Sequence, residues 1–102
     1  MLRKVKLRPA VEADGATIRA MARAARLISR GLHWPRFLVA EEGARVVGIW
    51  QVKVHEGGTR EVASGAVLPG YQRQGIGAEL IRALLARERG PLYLRCNEKW
   101  TR

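Results

Sequence analysis

The strongest chemical signal in the sequence is Gln72-Arg73-Gln74-Gly75-Ile76-Gly77, where two closely spaced glycines follow a basic, amide-rich stretch. Glycine at these positions removes side chains where a ligand must come against the backbone. If a helix begins here, its first N–H groups lack partners within the helix and its dipole favours an anion. Arg73 adds a formal positive charge beside them, so a diphosphate is the natural occupant. The loop is not a Walker loop, because no Gly-Lys-Ser/Thr follows. Nor is it the dinucleotide fingerprint, which needs G-x-G-x-x-G directly after the first strand of a βαβ unit. The plainer alternative is a helix that merely starts after a glycine turn.

The elements that must position this loop can be read on either side of it. A strand running from about Arg60 to Leu68 stops at Pro69-Gly70. A helix over residues 75–89 puts Ile76, Leu80, Ile81, Leu84 and Leu85 on one apolar face. Arg87 and Arg89 complement the carbonyl end of its dipole, and Gly90-Pro91 ends it. Upstream, residues 4–8 alternate with period two and read as a strand. Asp14 is the expected N-cap of a helix with Ile18, Met21, Ala22, Ala25 and Ile28 on one face. Arg19, Arg23, Arg26 and Arg30 form a stripe opposite them, and Gly31 and Pro35 break the pattern. Phe37–Ala40 and Arg45–Val54 read as strands joined by a turn, and 56–59 is a second tight connection. Residues 91–96 form a last strand. The order β-α-β-β-β-α-β describes one α/β (α+β) domain over residues 1–102.

Composition narrows the function classes. The longest apolar stretches are far shorter than the roughly 20 residues of a membrane span, and the N-terminus has no continuous apolar segment of signal-peptide type. The single cysteine, Cys96, has no internal disulfide partner. These features predict a cytoplasmic protein with no membrane partner. The net charge is +10, with nine Lys/Arg against two Asp/Glu in residues 1–36 and ten against seven thereafter. Such a balance attracts a polyanion, whether coenzyme A, nucleic acid or an acidic protein, or is simply a solvated basic composition. Against nucleic acid, the arginine stripe has no interleaved aromatics on which bases would stack.

The segment Val67-Leu68-Pro69-Gly70-Tyr71-Gln72-Arg73-Gln74-Gly75-Ile76-Gly77 resembles the acetyl-CoA motif of the GNAT acetyltransferase superfamily. The element order, the opening Leu7-Arg8-Pro9-Ala10 and the hairpin ending Val46-Val47-Gly48 extend the resemblance over residues 4–97. It implies a GNAT-like acyl-CoA N-acyltransferase fold, with a mixed, mostly antiparallel sheet flanked by helices. It also implies acetyl-CoA or coenzyme A as cofactor and N-acetyl transfer to a small-molecule or peptide amine. By the same resemblance, the backbone of Ala66, Val67 and Leu68 pairs with the pantetheine arm. Amides from Gln72, Arg73, Gln74, Gly75, Ile76, Gly77 and Ala78 would hold the pyrophosphate, and Asn97 would touch pantetheine. The N–H of Gly65 or Ala66 would polarise the thioester carbonyl.

Glu61 stands fourteen residues before Gly75. At that spacing, family members of the histone-acetyltransferase branch carry a general-base glutamate. The other reading of Glu61 is a solvated strand-end carboxylate paired with Arg60 or Arg45. GNAT proteins usually continue with a helix bearing a Phe-Tyr pair, whose tyrosine protonates the leaving thiolate, and then two more strands. The resemblance thus implies a short, C-terminally truncated form, whose exposed edge at strand 91–96 is to be covered by a homodimer or by a borrowed strand. An idle CoA-binding module is the alternative to an enzyme. Among the remaining candidates, His33 and His55 read as ordinary surface histidines and Cys96 as a core residue. Ser64 lacks the setting of a nucleophile.

Overall fold

The computed structural model describes residues 5–27 and 32–88, and the backbone of 93–94. Five strands form one sheet in the order β1-β2-β3-β4-β5: Lys6–Pro9, Phe37–Glu42, Arg45–Val54, Arg60–Val67 and Tyr93–Leu94. The first three joins are antiparallel, and β5 runs parallel to β4 through Glu61↔Tyr93 and Val62↔Leu94. Two helices, α1 (Gly15–Ala24) and α2 (Ile76–Arg87), cover the sheet, so it is the α/β arrangement expected from the sequence. No helix among the described residues is long and apolar enough to cross a membrane.

The continuous apolar run of β2 has a direct cause: both of its faces are covered. Phe37 and Val39 pack with Ala10, Ile18, Met21 and Ile49 beneath α1. Leu38 and Ala40 pack with Val47, Val52, Val62, Ile76, Leu80 and Leu84 beneath α2. Gly48 lets α2 settle close to β3, since a Cβ there would lie 3.1 Å from both Ile76 and Leu80. Pro9 ends β1, an edge strand, where a missing N–H does least harm.

The structure corrects two expectations around α1. The helix stops at Ala24, because Arg26 adopts φ 60 and turns the chain back. The Arg26 N–H then donates to the Arg23 carbonyl and the Leu27 N–H to the Ala22 carbonyl, a Schellman closure. Glycine usually occupies that left-handed position, so an arginine there gave no sign of the stop. Arg26 therefore leaves the stripe, Ala25 is exposed, and Ile28 and Arg30 lie outside the described residues.

Asp14 also does something other than cap α1. Its carboxylate accepts from Arg8 Nη1 and Nη2 at 2.9 and 3.1 Å and from the Val11 N–H at 2.7 Å. Arg8 also reaches Glu41 at 3.2 and 3.3 Å, tying β1, the start of α1 and β2 together. The Arg8 hydrogen bonds hold the buried Asp14 carboxyl below its ordinary 3.8, against burial, which pushes it up; the Val11 N–H adds to the lowering.

Candidate functional site

The site grows from an irregularity in β4. Ile49 pairs with Ala66 and Gln51 with Ala63, so Trp50 alone opposes Ser64 and Gly65. This is a β-bulge, with Ser64 at φ 59, and it re-aims the strand just where it approaches the loop. The Trp50 indole lies over Gly65, and a Cβ at that position would fall 1.9–2.2 Å from the ring. Only glycine fits. A glycine inside a strand pattern is the signal that could have revealed this close approach.

Beyond the bulge the chain leaves β4 at Val67, turns through Gly70 (φ 92), Arg73 (φ 64) and Gly75 (φ 85), and enters α2. The loop is braced internally and from outside. Gln72 Nε2 donates to the Val67 carbonyl at 2.8 Å and Gln74 Nε2 to the Gly70 carbonyl at 3.1 Å. The Tyr71 hydroxyl donates to Glu42 Oε1 at 2.7 Å, while Arg45 lies 6.0 Å from the Tyr71 ring centroid. A Cβ added at Gly75 would meet nothing within 4 Å, so the backbone there faces open space.

That open space is a groove of about 540 Å³. It is lined by Gly65, Ala66 and Val67 of β4, by Gln72, Arg73 and Gly75 of the loop, and by Ile76, Gly77 and Ala78 of α2. Ala25, Trp50 and Tyr71 complete it, none of them expected from the sequence as a cofactor-contacting residue. Two expected cofactor residues stand off the groove. Leu68 packs against both halves of the core and its N–H donates to the Val47 carbonyl at 2.9 Å. Gln74 holds the loop rather than lining the groove. Asn97 and Cys96 lie outside the described residues.

Glu61 lies further along β4 and is not the solvated carboxylate of the alternative reading. It is 6% exposed, and its Oε1 lies 2.7 Å from His55 Nε2. Arg60 pairs instead with Glu88 at 2.7 Å, and Arg45 sits at Tyr71. His55 is at the surface, as expected, but its ring is engaged by Glu61. The hairpin produces this contact: the His55 N–H donates to the Thr59 carbonyl across a turn with Gly57 and Gly58 at positive φ. Six-residue spacing across a Gly-Gly turn was the available signal. It becomes readable only once the hairpin register is known.

The comparisons with known proteins agree with this geometry. The family model described as Acetyltransferase (GNAT) domain matches residues 33–101, more than half the chain. The chain belongs to the GNAT acetyltransferase family. Among solved GNAT-like structures, N-acetylglutamate synthase from Neisseria gonorrhoeae, complexed with coenzyme A and L-arginine, superposes with TM-score 0.75. It is 27% identical over 94% of this chain but only 26% of its own. A GNAT family acetyltransferase from Brucella melitensis in complex with acetyl-CoA is 26% identical, with TM-score 0.63, over 84% of this chain and 69% of that one. Diaminobutyrate acetyltransferase from Paenibacillus lautus, in complex with L-2,4-diaminobutyric acid and coenzyme A, shares the fold at TM-score 0.65. Its identity is 21%, covering 82% of this chain and 58% of that enzyme. The chain thus spans about a quarter of the synthase and little more than half of the diaminobutyrate enzyme. No curated protein sequence matches it.

Proposed function

We propose that this chain binds acetyl-CoA in the groove between the end of β4 and the start of α2, and transfers the acetyl group to a small-molecule or peptide amine. The observation that carries this reading is the groove itself. The bulged strand, three positive-φ loop residues and a glycine-opened helix converge on one open cavity. Its backbone chemistry suits the group: amides at the start of α2 and the Arg73 charge complement a pyrophosphate, and extended backbone at 66–67 complements an amide-bearing arm. The coenzyme-A complexes of structurally similar enzymes support the same choice.

Acetyl-CoA supplies the thioester whose acetyl group is passed to the amine. In this reading the chain's residues do the rest. The N–H of Gly65, in the bulge, or of Ala66, just past it, donates to the thioester oxygen. The Trp50 ring fixes the Gly65 backbone from one side and excludes water there. Glu61 accepts the proton that leaves the acceptor ammonium, so that a neutral amine attacks. Gly65 lies four residue steps along the strand from Glu61, a backbone span of about 13 Å before the bulge shortens it. The glutamate side chain covers part of that distance, and the amine with a bridging water covers the rest.

The test is thiol release with a panel of amines, amino acids and peptides among them, using wild type and Glu61→Gln. The reading expects turnover with at least one amine and a loss of about 10²-fold or more in Glu61→Gln at unchanged acetyl-CoA affinity. Binding of coenzyme A without turnover on any amine would leave a cofactor-binding module and contradict the transferase reading.

A further inference from the structure

The pairing of His55 with Glu61 poses a question about proton traffic. Glu61 is almost fully enclosed, with 8% of its side chain exposed, whereas 42% of the His55 side chain meets solvent. A buried carboxylate that takes a proton in every turnover must also pass it on, and among its described partners only His55 has an imidazole. The register places both on the same side of the sheet. Glu61 opposes Lys53, and His55 lies two residues beyond Lys53, one past the end of β3, where its N–H donates to the Thr59 carbonyl. The charged groups around the pair are half-buried Lys53, Arg60 engaged by Glu88, and exposed Glu56 in the turn. Of the side-chain types in this cluster, imidazole is the one whose chemistry suits taking up and releasing a proton near neutral pH.

We infer that His55 is the proton outlet of Glu61, carrying to solvent the proton that acetyl transfer releases. The inference rests on the reading of Glu61 as base. The balance is one proton per turnover: an ammonium and a thioester give an amide, a thiol and one H⁺. The ammonium N–H bond breaks as Glu61 is protonated. The Glu61 O–H bond then breaks as His55 Nε2, in its Nδ1–H form, accepts the proton across the 2.7 Å contact. The exposed edge of the ring gives its Nδ1 proton to water. Before the next turnover, proton exchange with solvent at the exposed ring restores the Nδ1–H form.

The experiment compares wild type, His55→Ala and His55→Gln by steady-state kinetics from pH 6 to 9, with and without added imidazole. Calorimetric binding of coenzyme A confirms that each variant is folded. The outlet role expects kcat to fall about tenfold in His55→Ala at unchanged KM for acetyl-CoA, with imidazole restoring most of it. Glutamine keeps a hydrogen bond to Glu61 but carries no proton, so His55→Gln stays slow. Wild-type kcat in His55→Gln, or no rescue of His55→Ala by imidazole, would overturn the inference and leave the Glu61 reading intact. Full activity in Glu61→Gln would instead remove the base reading beneath it. Independently of turnover, the ¹⁵N signals of the His55 ring should move in Glu61→Gln and stay in place in Glu88→Gln; unchanged signals in Glu61→Gln would remove the contact on which the inference stands.

Discussion

Two ends of the same strand are built by different means. Where β4 runs into the loop at 67–75 the site is made of backbone: a bulge, positive-φ residues, and the open start of a helix. At its other end, beside the 55–59 turn, the site is made of side chains, with the Glu61 carboxylate set against the His55 imidazole. A backbone site depends on local conformation and therefore on local sequence, above all on where glycine is allowed or required. A side-chain site depends on which residues a hairpin register brings together, and that information is not local. One end should accordingly control cofactor affinity and the other the chemical step.

The largest expected effect comes from filling the bulge. Gly65→Val would drive a side chain into the Trp50 ring, which is partly buried and packs against the core. We expect a loss of about 3 kcal/mol or more in thermal unfolding, with coenzyme A binding lost as well. Retained stability and binding would mean that the bulge is not needed to shape the groove. Next is Glu61→Gln, whose effect of about 10²-fold should appear in kcat alone, because the cofactor end is untouched. A parallel fall in coenzyme A affinity would erase the division between the two ends.

A third change lies outside both ends and serves to separate stability from function. Asp14→Asn removes charge-assisted bonds to Arg8 and should cost about 2 kcal/mol, with coenzyme A affinity unchanged. Because folding depresses the Asp14 carboxyl, its contribution is present above the ordinary carboxylate range and disappears as pH falls through the lower folded value. Wild-type and Asp14→Asn melting temperatures should therefore differ at pH 7 and converge only in acid, once the pH has fallen through the lowered carboxyl range of the folded state. The smallest effect is that of Tyr71→Phe, which frees the loop from Glu42. A loss of about 1 kcal/mol, or roughly fivefold in coenzyme A affinity, is expected by titration.

The sequence was legible where its signals were local. The element order, the Ile76-Leu80-Leu84 face of α2 and the glycine loop all appeared in the structure, because glycine placement and period-3.6 patterning act within a few residues; Leu85, expected on that face, is exposed instead. Most of the residues expected along the cofactor path line the groove together. What escaped was non-local or chemically atypical. The stop of α1 at Ala24 depends on a left-handed Arg26, which carries no composition cue. Asp14 has the residue type of a helix cap, but Arg8 and the Val11 N–H take its carboxylate first. The His55–Glu61 pair and the fit of Trp50 over Gly65 both require the β3–β4 register, including its bulge.

The central claim is that the loop and the start of α2 form a coenzyme A cradle, and one titration tests it directly. Isothermal calorimetry with coenzyme A and acetyl-CoA would be run on wild type and on Gly75→Glu, which sets a carboxylate at the mouth of the groove. The account predicts saturable one-site binding by the wild type and at least a hundredfold weaker binding by the variant. No binding by a folded wild type, or equal binding by both, would contradict it.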